Sequence, residues 1–308
     1  MDKKVSLIIL NYNNWEVTVN CINSIIQKMD CKYKIILIDN NSKNNSVEKL
    51  RNYLIQSELN FQEFFSNEID KLKINNSSVY FVKSLLNVGY GSGNNIGLSL
   101  SKKLSISHSL IINSDILITH DFINNFLLKM SNDPECVIIS PLIINENGSV
   151  DSNCLRKRRL LPLSFFWENG ILRPILRKFI SHKKFFHKID MLSEFNEISV
   201  PSGSCFFVDL SWFSGVNFFD SKTFLYEEEH ILYEKILKTK NKVYLSTSSN
   251  VIHLGGKSTN SIGVEFIKSH YLDSLKIYLI DYRYKSSYYT SLIINYIKVS
   301  EKLINLFK

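Results

Sequence analysis

Four short apolar runs in the first 115 residues, "VSLIILN", "KIILIDN", "SVYFVK" and "HSLIINSD", each stop at amides, acids or a glycine cluster. Continuous apolar runs of this length are what strands covered on both faces require, whereas a half-exposed strand alternates. Between the first two, Val19, Ile22, Ile25 and Ile26 recur at helical spacing. A fifth run, "ECVIISPLII", follows a helix expected to open near Asp121. Strands alternating with helices of this length predict βαβ units around a mostly parallel sheet flanked by helices. Ligands of such sheets bind outside the carboxyl ends of the strands.

Those ends are where polar side chains collect. The first run closes on Asn11, Tyr12 and Asn13, the second on Asp39, Asn40 and Asn41, and the fourth on Asn113, Ser114 and Asp115. Amides and acids are good turn formers, so any one of them has a local explanation. Their shared position on one rim points to a polar binding edge. The third run leads into "NVGYGSGNNIG", Asn87 to Gly97. Its nearest approach to the dinucleotide fingerprint, Gly91 to Gly97, is one residue too long and sits far from the first strand-to-helix turn. A phosphate-approaching loop is expected there, with a helix from about Asn94 to Lys103, and a dinucleotide-dependent dehydrogenase is disfavoured.

Composition narrows the class further. Of 308 residues, 44% are hydrophobic and 21% charged, ordinary for a folded protein. Five scattered cysteines without a C-x-x-C pair read as reduced thiols, which predicts a cytoplasmic protein. The N-terminal apolar run of about six residues is too short for a signal peptide and reads as a first strand. No run reaches the roughly 18 apolar residues of a spanning helix. The net charge of +8 favours anionic surroundings, but no nucleic-acid-binding module accompanies it.

With "NYNNW", "IILIDNNS", "NVGYGSGNNIG", "INSD", "GSCFFVD", "FLYEEEHIL" and "VIHLGGKST" in that order, the chain resembles the bacterial family 2 glycosyltransferases, especially the rhamnosyltransferase-like branch. The likeness runs from Val5 to about Ser258 and is weakest between Arg156 and Ser199. It implies a GT-A fold, with a nucleotide-sugar half at 1–145, an acceptor half at 146–260 and a C-terminal helical extension at 261–308. It also implies a nucleotide-diphosphate sugar donor, a divalent metal (Mg²⁺ or Mn²⁺) and inverting transfer to a hydroxyl. The acceptor would be a glycan or lipid-linked glycan of bacterial surface polysaccharide synthesis.

Carried over by position, the resemblance assigns Asn11, Asn13 and Asp39 to the nucleotide pocket, Asp39 on the base. Asn87, Gly89, Gly91 and Gly93 would pass close to nucleoside and diphosphate, with Asn94 and Asn95 donating hydrogen bonds. "NSD" stands where the family has D-x-D, so Asp115 would bind the metal, with Asn113 beside the donor. His253 would complete the metal site, and Lys257 and Ser258 would meet the diphosphate. Gly203 and Ser204 would flank the acceptor. In "YEEEH", Glu228 and Glu229 match the acidic pair and His230 a position often held by Asp. Glu229 is taken as the general base, and a one-residue slip would exchange it with Glu228. Adjacent acids would raise one pKa by like-charge repulsion.

The basic, aromatic stretch from Arg156 to Lys184 has two readings. It would ride an anionic membrane surface, here the inner face of the cell membrane, or it would form amphipathic helices over the acceptor cleft. Two other function classes stay open, a sugar nucleotidyltransferase and a non-catalytic nucleotide-sugar or carbohydrate-binding protein. "NYNNW" lacks the glycine-rich basic loop of the first, and the intact acidic run argues against the second.

Overall fold

A computed structural model of the chain describes residues 4–168, 170–255 and 263–306. Its strands are β1 (Val5–Asn11), β2 (Tyr33–Asp39), β3 (Phe61–Phe65), β4 (Val79–Lys83), β5 (His108–Asn113), β6 (Ile116–Ile118), β7 (Cys136–Asn145), β8 (Phe195–Ile198), β9 (Cys205–Asp209) and β10 (Lys242–His253). Helices α1 (Trp15–Lys28), α2 (Ser46–Gln56), α3 (Gly89–Lys103) and α4 (Ile123–Asn132) connect the early strands. Short helices α5 (Leu163–Glu168), α6 (Arg173–Phe179) and α7 (Leu210–Gly215) precede α8 (Glu228–Thr239). Helix α9 (Val264–Ile277) runs through a π-helical turn at Tyr278–Tyr282 towards α10 (Ser287–Leu306).

One sheet of ten strands carries the core, in the order β3-β4-β2-β1-β5-β9-β7-β10-β6, with β8 on β10. Strands β1, β2, β4 and β5 pair in parallel, and β7 is parallel to β10. The exception that matters is β9, which runs antiparallel to both β5 and β7. Two antiparallel steps restore direction, so β5, β7 and β10 all end on the same edge. The start of β9 therefore lies against the end of β5, on the same sheet edge as the ends of β1 and β2, and late residues reach the early rim. This is the mostly parallel sheet flanked by helices that the early apolar runs predict.

The central strands are sealed because Leu7, Ile8, Ile9, Ile36, Leu37 and Ile38 are wholly buried. A second, smaller core joins Phe165 of α5 and Ile231 of α8 to Leu272, Leu275, Ile293 and Ile297 of the last two long helices. The C-terminal helices thus cap the back of the acid-bearing helix. All five cysteines are free thiols, four of them buried. Among the described residues no helix is long and apolar enough to cross a membrane.

The structure corrects the glycine segment. Helix α3 starts at Gly89, not near Asn94, so four glycines occupy a helix, although each costs about 1 kcal/mol against alanine there. Packing explains it. A methyl at Gly93 would lie 2.7 Å from Leu10 Cδ1, and one at Gly97 2.6 Å from Ile8 Cγ2. The glycines let the helix lie directly on β1. Strand β3, half-exposed at the sheet edge, is absent from the expectations above.

Candidate active site

The first two strand ends are locked to each other. Asn11 donates through Nδ2 to Asp39 Oδ2 at 2.7 Å, while Thr18 donates to Asn11 Oδ1 at 2.8 Å. Ser42 gives Asp39 two further bonds, from its hydroxyl at 2.6 Å and its backbone N–H at 2.9 Å. Asn13 adopts a positive φ of 56° and accepts from the Lys43 N–H at 2.7 Å. The result is a rigid, buried carboxylate at the rim, held by charge-assisted bonds. Ser42, just beyond the end of β2, is part of this lock.

Asn40, one of the polar residues closing the second run, shapes the next turn. Its Nδ2 donates to Asn87 Oδ1 at 2.9 Å and to the Gly89 carbonyl at 3.1 Å, and its Oδ1 accepts from the Val88 N–H. Gly89 needs its φ of +82° here, and a methyl on it would sit 2.2 Å from the Phe224 carbonyl oxygen. The Tyr90 N–H donates to that same oxygen at 2.8 Å. So the turn after β4 is welded to the segment leading into the acidic run. Asn94 donates to the Tyr90 carbonyl within its own helix, and Asn95 exchanges two hydrogen bonds with the Phe219 backbone. These two amides, read from the family as donor ligands, serve helix and loop packing in the structure. Gly91 likewise packs against Phe219 and the Glu228 Cγ.

The acidic run is a strained turn entering α8. Tyr226 and Glu227 both take positive φ, 70° and 65°, a conformation that costs non-glycine residues of order 1–3 kcal/mol each. An internal ion pair holds the strain. Arg159 is buried and donates from Nη2 to Glu227 Oε1 at 2.8 Å, with Glu168 on its other side. Arg158 forms a two-pronged pair with Glu234 of α8, at 2.8 and 2.6 Å. Within the "RKRR" run, Arg159 is thus buried and Arg158, although exposed, is ion-paired to this helix.

Glu228 and Glu229 have different surroundings. Glu228 is buried, and burial first and Glu229 second push its carboxyl well above the ordinary range. Glu229 is half-buried, with Oε1 beside Gly203, where a methyl group would come within 2.2 Å. The Tyr90 hydroxyl donates to the Gly203 carbonyl. Burial raises the Tyr90 pKa well above its usual value, with Glu229, Glu228, Cys205 and Asp115 adding to the effect in that order. His230 is neutral: burial, then Arg159, Arg156 and Arg283, drive its pKa well down.

This burial predicts a pH signature. A carboxyl raised on folding contributes its stability below the unfolded value of 4.5 and loses it as pH rises through the folded value. Glu228→Gln removes that loss. We expect the native chain to lose stability relative to the variant as pH rises from 4.5 towards neutrality, by about 1.4 kcal/mol for each pH unit separating the folded from the unfolded pKa. That is a few degrees in Tm for a chain of this size. This loss should shrink to nothing near pH 4.5, and a pH series of thermal melts checks it.

Asp115 and His253 meet because β6 pairs antiparallel with the end of β10, setting His253 opposite Ile116. The Leu254 N–H donates to the Asp115 carbonyl at 2.9 Å. His253 Nε2 stands 3.5 Å from Asp115 Oδ1, and Nδ1 stands 3.6 Å from Asp151 Oδ2. Asp115 first and Asp151 second raise its pKa to about 9. Asp151, at the head of a 3₁₀ turn after β7, escaped the sequence reading. A carboxylate oxygen and an imidazole nitrogen at the same spot fit a divalent ion that takes its remaining ligands from diphosphate and water. No group of three or more His, Cys, Asp or Glu suited to a metal occurs among the described residues. Asn113 ends β5 beside this pair, its N–H bound to the Ser204 carbonyl at 2.8 Å. Lys257 and Ser258 lie outside the described residues.

Sheet order, rim and acid-bearing helix together define a protein of the GT-A fold class. The family model for glycosyl transferase family 2 matches residues 6–216, so the chain belongs to that family. Among solved structures, GalNAc-T7 with UDP, GalNAc and Mn²⁺ superposes with a TM-score of 0.59 at 18% identity, over 90% of this chain and 48% of that one. S. aureus TarS 1–349 in complex with UDP gives 0.51 at 12% identity, over 94% of this chain and 69% of that one. These likenesses establish the fold. The chain spans about half the length of the GalNAc-T7 chain. No curated protein matches it in sequence.

Proposed function

We propose that the chain is an inverting glycosyltransferase that moves a hexose or deoxyhexose from a nucleotide-diphosphate donor to a hydroxyl of a glycan or lipid-linked glycan. The carrying observation is that Glu229 stands beside Gly203, whose carbonyl the Tyr90 hydroxyl holds, while the next residue, Ser204, accepts from the N–H of Asn113, two residues before Asp115, at 2.8 Å. Asp39 would accept from the nucleotide base, with Asn11 and Ser42 fixing its orientation. Glu229 takes the proton from the acceptor hydroxyl. That oxygen attacks the anomeric carbon, the bond to the diphosphate breaks, and the nucleoside diphosphate leaves with the electron pair. Asp115 and His253 would hold a Mg²⁺ or Mn²⁺ ion, which supplies positive charge against the departing diphosphate. Half-exposed Glu229 suits the base role better than Glu228, which has no open face to an acceptor. Residues 1–260 form the transferase unit in this reading, residues 261–308 an extension bracing α8, and the motif order favours bacterial surface polysaccharide synthesis.

A thermal-shift panel of nucleoside diphosphates and their sugars, with and without Mn²⁺, tests the reading. Native-state binding raises Tm by mass action, about 2.7 kcal/mol at a hundred times Kd. UDP with Mn²⁺ is the first ligand to try, because both accompany the GalNAc-T7 neighbour. No shift with any nucleoside diphosphate would sink the proposal.

A further inference from the structure

Between residues 156 and 188 the chain carries ten lysines and arginines against the single acid Glu168. The whole chain nets only +8, so this stretch holds more positive charge than the protein does overall. Arg158 and Arg159 are consumed by Glu234, Glu227 and Glu168, and the Arg177 guanidinium lies over the Trp167 ring at 4.6 Å. Among the described residues Arg173, Lys178, Lys183, Lys184 and Lys188 make no ion pair, and all are exposed. In the middle of them stands α6, which has no buried residue. Leu172, Ile175 and Phe179 are spaced three and four apart and share one stripe, with Phe179 81% and Ile175 56% exposed. At 100° per residue Lys178 flanks this stripe on one side and Arg173 on the other. The other side of the segment is anchored: Trp167 Nε1 donates to the Ile180 carbonyl at 3.2 Å, and the Leu172 N–H donates to the Tyr296 hydroxyl at 3.3 Å.

We propose that this face of α6 docks on an anionic lipid bilayer, with Leu172, Ile175 and Phe179 entering the headgroup boundary and the flanking cations on lipid phosphates. Anchored backbone and solvent-facing apolar side chains are an arrangement that gains nothing in water and gains area in a bilayer. Cations beside an apolar stripe can keep their stems in the boundary and their charges on the phosphates. A second copy of the chain is a poor occupant, because a two-fold contact through this face sets lysine against lysine. A stripe of three side chains is also far short of the roughly 800 Å² per partner of a stable protein interface. The inference does not depend on the transferase reading, since its readout needs no turnover.

The test is co-sedimentation of the full chain with vesicles of phosphatidylcholine alone or mixed with phosphatidylglycerol, across a salt series. Binding is expected only to the anionic vesicles and should weaken with salt. The double variant Ile175→Ser/Phe179→Ser is expected to lose at least about 10-fold in partitioning, from lost apolar burial. Lys183→Glu/Lys184→Glu should lose on the order of 10-fold or more. Every altered side chain is exposed, so circular dichroism and Tm should match the native chain. Failure of the native chain to bind anionic vesicles, or equal binding by the variants, overturns the proposal. So does a native dimer that Phe179→Ser makes monomeric, which would give the face to a second copy.

Discussion

Glu229→Gln is expected to lower turnover by about 10²–10⁴-fold, the usual contribution of a positioned general base. Glutamine keeps the size and the contact with Gly203 but cannot take the acceptor proton. Nucleoside diphosphate binding, followed by thermal shift, should stay at the native level, because Asp39 and its lock lie on other strands. Release of nucleoside diphosphate from a sugar donor in the presence of acceptor measures the loss. A rate within a few-fold of native would remove Glu229 from the base role. The contrast with Glu228→Gln sharpens the assignment: one change acts on rate with Tm preserved, the other acts on the pH dependence of Tm.

Gly203→Ala should be nearly as damaging for a different reason. The added methyl would lie 2.2 Å from Glu229 Oε1 and 2.9 Å from its Cδ. The obstacle is the end of a side chain, so the carboxylate swings aside and the fold survives. Displacing a reacting group by an ångström costs on the order of 10² in rate. We therefore expect kcat to fall about 10²-fold with nucleotide affinity and Tm close to native. Steady-state kinetics beside a nucleotide titration check this, and an unchanged kcat would mean that Glu229 does not act from its observed position. Tyr90 belongs to the same device, since its hydroxyl holds the Gly203 carbonyl in place.

How much of this was legible in advance depended on where the determining contacts lie. Strands β1, β2, β4 and β5 were plain because a strand covered on both faces must be apolar at every position. Strand β3, "FQEFF", is an edge strand with most side chains half-exposed, and its short mixed pattern carries no comparable signal. The start of α3 is not legible because glycines argue against helix locally, and only tertiary neighbours explain them: Phe224 at Gly89, Phe219 at Gly91, and Leu10 and Ile8 of β1 at Gly93 and Gly97. The rim residues Asn11, Asp39, Asn113 and Asp115 followed from strand ends alone. Asn40 followed likewise, though not its hold on Asn87, and Asp151 did not, because it works through His253; both contacts are created by folding. Nor does "RKRR" announce that two of its four cations are ion-paired within the chain, since Glu227 and Glu234 lie some seventy residues later. Glu228 and Glu229 are neighbours of identical chemistry, separated only by which one the helix buries.

Strand β9 has a consequence for how such a protein can be divided. Among the described residues it is the only strand between β5 and β7, and it arrives from residues 205–209, long after both of its neighbours. A fragment ending at residue 145 would contain the entire early rim yet leave β5 with an open edge of unpaired amides and carbonyls. Such edges recruit other chains. Fragments cut there should therefore aggregate rather than stand alone, whereas an insertion in the exposed turn at 146–149 leaves β9 on the same chain to close that edge.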